Sequence, residues 1–252
     1  MNSLTTTIAA STPTGPQDPE PPNYHSTANT FLQREVYRLG AEPGLRSLPP
    51  TPERDFLTLT WGPIVYRTTY APDSERLVPV FLRALNEEVA RSLSTSLPGS
   101  PDQLRLLEKT YASKVFTDSE MFESIDEEAV HESFHDWKAL LALPSVELPT
   151  RLTVCLMIDD GVLAHLTGRL DLASAAGKDA DLSTCPVKVV EENFPDRRHR
   201  GSGVVKSESY PGWTSVALRS LVELFDGLSR GNRLEEYHRP GKVYLGSGEW
   251  NE

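Results

Sequence analysis

Apolar residues along the chain fall into three kinds of spacing, and each predicts an element. Leu77, Phe81, Leu85, Val89 and Leu93 recur every four positions with Arg83, Glu87 and Glu88 off the stripe, which is the pattern of an amphipathic helix. Pro79 then belongs near its first turn, because deeper in a helix the ring meets the carbonyl four residues back. Val130, Phe134, Trp137 and Leu141 form a second stripe, with Ser124 and Glu127 as its capping box and Pro144 as its stop. A third helix is read within 213–225, with Leu218, Leu221, Val222 and Phe225 on one side. Two-residue alternation marks strands instead: Leu57, Leu59 and Trp61, then Ile64, Tyr66 and Thr68 beyond Gly62-Pro63, predict a strand or strand pair over 56–70. Residues 104–111 read as a further strand, although the Leu106-Leu107 doublet breaks the alternation. The run from Leu152 to Ile158 is apolar on both faces and predicts a central strand. Asp160-Gly161 turns it into a short helix over 162–170, residues 187–190 predict another strand, and 242–245 a last extended piece. Segments 172–183 and 194–209 read as surface loops. This order predicts an α+β fold, one mixed or mostly antiparallel sheet with helices largely on one face, preceded by a disordered N-terminal tail.

The tail is set apart by composition. Nine of the twenty prolines fall before residue 54, and residues 1–26 are rich in Thr, Ser, Pro and Gln, so ordering them would cost entropy without burying anything. Phe31, Val36, Tyr37 and Leu39 permit a short helix over 28–40, stopped by Gly40 and docked on the domain surface, and 48–52 breaks regular structure again. Thr51-Pro52 has the form of a proline-directed phosphosite. The expected organisation is a leader over 1–55 and a single α+β domain over 56–252.

Charge and cysteine content narrow the partners and the compartment. With 36 acidic against 25 basic residues the net charge is −11, which repels a phosphate backbone and disfavours nucleic acid. No apolar run approaches the roughly 20 residues of a membrane span, so no membrane contact is expected. The N-terminus lacks a basic n-region and an apolar h-region, and Cys155 and Cys185 form no framework. The expectation is a cytoplasmic protein, with the nucleus as the other compartment, that binds a protein or a small acidic ligand.

Four sets of residues carry candidate chemistry. His131-Glu132-Ser133-Phe134-His135 is an HExxH on a predicted helix: in a zinc hydrolase the two histidines, four apart, hold the metal and the glutamate is the catalytic base. Charged Asp136 follows the second histidine, Lys138 and Leu141 stand where the extended motif has Gly and His, and no third ligand is apparent. The alternative is a pair of solvated histidines flanking the apolar stripe. Asp159-Asp160 and Glu191-Glu192 end two predicted strands and would converge on a magnesium ion if those strands were parallel neighbours. Otherwise Asp160 caps a helix and the glutamates begin a loop. Arg197-Arg198-His199-Arg200 offers an anion contact or a solvated loop, and Cys155, inside a strand, is a poor nucleophile. Phosphate-loop, dinucleotide, nucleophile-elbow and deaminase signatures do not occur.

The run GPIVYRTTY over 62–70, Phe134 with Trp137, residues 154–159 and 187–190, Gly212-Trp213, and YHRP over 237–240 leading to Trp250 together resemble a widespread family of proteins from filamentous ascomycete fungi. The resemblance covers residues 56–250. It implies a fungal origin, a cytosolic α+β domain and a place in secondary metabolism, and it carries no assigned reaction. Read from the residues themselves, Tyr66, Tyr70 and Trp213 are aromatics suited to capping a core or lining a pocket. Arg67, Tyr70, Tyr237 and Arg239 are the positions for an anionic ligand. The expected function is an accessory or interaction protein without a cofactor. The alternatives are a zinc-dependent hydrolase through HESFH and a cofactor-free cyclase or isomerase.

Overall fold

Alternation along the strands assigns two faces of one sheet, and that division organises the chain. A computed structural model describes residues 26–42, 51–141, 143, 148–192 and 210–251. In chain order these form α1 (Thr27–Leu32), a π-helical turn (Gln33–Tyr37), α2 (Arg38–Ala41), α3 (Pro52–Leu59), β1 (Ile64–Arg67), α4 (Ser74–Ser96), α5 (Pro101–Thr110), β2 (Lys114–Phe116), α6 (Ser119–Phe122) and α7 (Glu127–Leu140). There follow β3 (Val154–Ile158), α8 (Asp160–Ala175), β4 (Pro186–Glu191), β5 (Trp213–Ala217), α9 (Leu221–Ser229), β6 (Val243–Gly246) and β7 (Glu249–Trp250). The fold is α+β with one mixed sheet of order β2-β1-β3-β4-β5-β6-β7. β1 runs parallel to β2 and β3, β4 is antiparallel to both its neighbours, β6 is parallel to β5, and β7 turns back.

Val65, Leu156, Val187, Val189 and Val216 point to the face covered by α4, α8 and α9, whose Phe81, Leu85, Leu166 and Val222 complete the main core. Ile64, Tyr66, Cys155, Met157 and Val190 point the other way, into a smaller core closed by Phe122 of α6 and by Val130 and Phe134 of α7. Aromatic rings dominate this second core: Tyr66 stacks on Phe116 at 4.9 Å between centroids, and Phe122 stands edge-on to it at 5.3 Å. Most helices therefore share one face, and β3, apolar on both sides, lies inside the sheet as its sequence predicts.

Three elements differ from the sequence expectation, the first two because a cap outweighs a local pattern. Residues 52–59 are helical rather than a strand: Thr51 is the N-cap, its hydroxyl accepting from the Arg54 N–H at 3.1 Å, and Pro52 occupies the first turn. Residues 101–110 are likewise a helix, with Ser100 and Gln103 forming a capping box ahead of Pro101. The strand over 213–217 ends before the helix, which begins only at Leu221. The predicted α7 is present, but Asp126 caps it, while Ser124 sits in the left-handed region at φ 57°. Similarly Asp159 rather than Asp160 caps α8, which continues to Ala175, past the expected end at 170.

The segment expected as a short helix over 28–40 is helical from Thr27 to Ala41 through its π turn. It is no surface addition, because Phe31 and Leu32 are fully buried in the main core. Ser26 caps it, accepting from the Asn29 N–H at 3.2 Å. Residues 1–25 of the leader expected to be disordered, the greater part of the break over 48–52 and the loop over 194–209 lie outside the described residues.

Candidate functional site

The end of β4 against α7 gathers the largest share of the candidate residues, though not in the arrangement their spacing suggests. β4 is antiparallel to β3, with Val154 opposite Glu191 and Met157 opposite Lys188. Asp159 and Asp160, which follow β3, and Glu191 and Glu192, which end β4, therefore lie at opposite ends of the sheet and form no magnesium site together. Asp159 caps Val162 N–H at 2.9 Å and pairs with Lys188, which also reaches Glu127 of α7. Asp160 accepts a hydrogen bond from Thr69.

Glu191 and Glu192 instead meet the two histidines of HESFH. The helical spacing of four sets His131 and His135 one turn apart on the flank of α7 that faces β4. His131 Nδ1 donates to the Glu191 carbonyl at 2.8 Å, since a carbonyl only accepts, which fixes its proton on that nitrogen. His135 Nδ1 lies 2.9 Å from Glu192 Oε1, and the Lys138 ammonium pairs with the other oxygen. The Glu192 side chain is 1% exposed against 59% for His135, so the carboxylate is inside and the imidazole outside. Glu191 turns its carboxylate toward Tyr210, whose hydroxyl donates to Oε2 at 3.0 Å. Burial raises the Glu191 carboxyl above its ordinary range, only partly offset by the Tyr210 hydrogen bond and the charges of Arg233 and His131, while Glu235 adds to the rise.

Zinc does not fit this set. Both Nδ1 atoms face β4, the nearest third carboxylate already holds an ammonium on its second oxygen, and Glu132 stands on the exposed side of α7. Among the described residues no group of three or more His, Cys, Asp or Glu is placed to hold a metal ion.

The four positions assigned to an anionic ligand are split. Arg67 ends β1 opposite Ile158, at the end of β3 farther from Val154. Its guanidinium donates to Thr69 O at 2.9 Å and Ser74 Oγ at 2.8 Å, pairs with Glu75 at 2.6 Å and lies 4.4 Å from the Tyr70 ring centre. It fastens the turn into α4. Tyr237 accepts from Thr214 Oγ1 at its carbonyl, and Thr214 lies at the start of β5, the opposite end of the sheet. Arg239 stacks on Trp250 with its guanidinium 3.7 Å from the ring centre. Cys155 is fully buried, which drives its thiol well above the usual range. Arg197, Arg198, His199 and Arg200 lie outside the described residues. Lys138 and Tyr210 are the members of the β4 site that spacing alone does not disclose, and the acidic doublet at a strand end was the available signal.

The chain matches no family model, no curated protein and no solved structure. No helix among the described residues is long and apolar enough to cross a membrane.

Proposed function

We propose that this is an accessory or interaction protein that works by binding a protein partner, with HESFH serving to dock α7 rather than to hold a catalytic metal. The observation that carries this reading is the engagement of both histidines with β4: His131 on the Glu191 carbonyl and His135, with Lys138, on the buried Glu192. The outer side of α6 and α7, with the turn between them, then presents Glu120, Glu123 and Asp136 to solvent. A partner meeting this face would be basic, and a small acidic ligand is disfavoured there. Following the resemblance, we place this role in the cytosol of a filamentous ascomycete, in secondary metabolism.

Two measurements test it together. Metal analysis of the native protein is expected to find far less than one zinc per chain, unchanged in His135→Ala. Affinity capture is expected to yield a basic partner that is lost when Glu120, Glu123 and Asp136 are changed to lysine. Stoichiometric zinc that disappears in His135→Ala, or turnover of a metabolite abolished by Glu132→Gln, would replace this reading with the hydrolase. A cofactor-free cyclase or isomerase is supported by one observation of its own, the raised Glu191 carboxyl hydrogen-bonded to the Tyr210 phenol, an acid–base pair in form. Turnover lost in both Glu191→Gln and Tyr210→Phe would favour it.

A further inference from the structure

Three aromatic rings on the α7 side of the sheet close around a single ammonium. Lys114 pairs with Ile64 of β1 and Phe116 with Tyr66, so both side chains stand on the face where Ile64 and Tyr66 enter the second core. There Phe56 of α3 and Trp137 of α7 meet them. Lys114 Nζ lies 5.4 Å from the centre of the Phe116 ring, 5.5 Å from that of Trp137 and 6.0 Å from that of Phe56. All three are within the roughly 6 Å at which a ring face attracts a cation. Phe116 and Trp137 meet at 71°, so they form two walls rather than a stack. Glu53 completes the enclosure, with both carboxylate oxygens 2.7 Å from Nζ. The rings are half-buried, the Lys114 side chain is 26% exposed and that of Glu53 46%, so the site opens to solvent. Rings from three elements and a carboxylate converge here on one ammonium, and the chain's own Lys114 shows what such a cage holds.

We propose that this cage is a lysine-binding site, that Lys114 occupies it in the free protein, and that a lysine side chain of the basic partner takes its place on binding. The proposal rests on the partner surface described above, which it adjoins: Asp136 of that surface directly precedes Trp137 in α7. No further cavity is required, because one ammonium replaces another of equal size. Lys114 stands on β2, the edge strand of the sheet, at the end of a flexible four-carbon stem that can swing into solvent. An ion pair this exposed contributes little to the fold, so the exchange costs the protein little. Until it occurs, the Lys114 stem covers rings that would otherwise face water.

An NMR titration with n-butylammonium, the equivalent of a lysine side chain, tests this at constant ionic strength, followed at the Trp137 indole N–H and with 1-butanol as the uncharged control. Lys114→Ala, or Lys114→Thr should the alanine variant not fold, leaves the cage open and is expected to bind n-butylammonium saturably at millimolar concentration. The native chain is expected to bind it about tenfold more weakly, since its own tethered ammonium competes for the cage. Adding Phe56→Leu to the open variant removes one wall and should weaken binding about threefold. 1-Butanol is expected to leave the indole unmoved in every variant. The proposal is overturned by the absence of a saturable shift in the open variant, by equal binding to the native chain, by an equal response to 1-butanol, or by binding that Phe56→Leu does not diminish. The titration needs no partner. A failed affinity capture therefore counts against the partner reading alone, and a failed titration beside a successful capture against the cage alone.

Discussion

Glu35 is the most consequential ionisable residue that sequence spacing does not single out. The π turn rotates it inward, where it is 1% exposed and receives the Thr150 N–H at 2.9 Å and the Thr150 hydroxyl at 2.8 Å. Burial raises its carboxyl from 4.5 to about 7, against the opposing pull of Thr150 and of the Arg151 and Arg38 charges. A carboxyl whose folded value lies above its unfolded one binds its proton more tightly in the native state. Its contribution is therefore complete below pH 4.5 and lost as the pH rises toward 7, by about 3 kcal/mol in all. Glu35→Gln keeps an oxygen for Thr150, so urea unfolding at pH 5, 6, 7 and 8 should show the variant gaining on the native chain up to pH 7 and holding its lead above. A second residue inverts a general rule. Glycine inside a helix is ordinarily improved by alanine, yet at Gly227 a Cβ would lie 1.9 Å from the Tyr237 hydroxyl oxygen, which Asn232 holds in place. Gly227→Ala is expected to destabilise by about 1–3 kcal/mol. Adding Tyr237→Phe should recover much of that loss in the same unfolding assay.

Elements in this chain are decided at their ends. The Thr-Pro and Ser-Pro pairs at 51–52 and 100–101 both place a hydroxyl N-cap before proline in the first turn, and each starts a helix where internal alternation suggests a strand. For Thr51 this capping role accounts for the dipeptide that also reads as a phosphosite. α7 shows the reverse case, in which a stripe identifies the helix correctly and its flank performs a task that only packing reveals. Lys138 and His135 together hold the buried Glu192 carboxylate, so α7 is fastened by an ion pair and a histidine contact as well as by Phe134 and Val130. Lys138→Met removes the ammonium and leaves that carboxylate without its cation, which should cost about 3–5 kcal/mol in denaturant unfolding. Lys138→Met combined with Glu192→Gln should cost less than the single change, because no uncompensated buried charge remains.

At the scale of the whole molecule, the N-terminal helical segment belongs to the core. Phe31 is fully buried and stands edge-on to Trp61 at 5.1 Å, so Phe31→Ala should cost about 3–5 kcal/mol. A truncation before Ser26 is expected to leave the melting temperature within about 1–2 °C, whereas one through Ala41 should lower it steeply, both read in a thermal melt. The sequence by itself determined the α+β class, the helix carrying the Leu77–Leu93 stripe, the α7 stripe and the central β3, because periodicity acts within a few residues and does not depend on what lies across the sheet; the start of that first helix at Ser74, which puts Pro79 at its sixth residue, was not legible there. It also marked out HESFH, the acidic doublets and the aromatic–arginine pairs as chemistry in need of a place. Tertiary structure alone decided what they do. The antiparallel pairing of β3 and β4 separates Asp159 from Glu191, and the α7 crossing turns His131 and His135 onto β4. Two strands, β3 and β4, likewise come between β1, which carries Arg67, and β5, on which Tyr237 rests. Strand direction and order are fixed by how the apolar faces of distant segments cover one another, and that quantity has no local spacing to read.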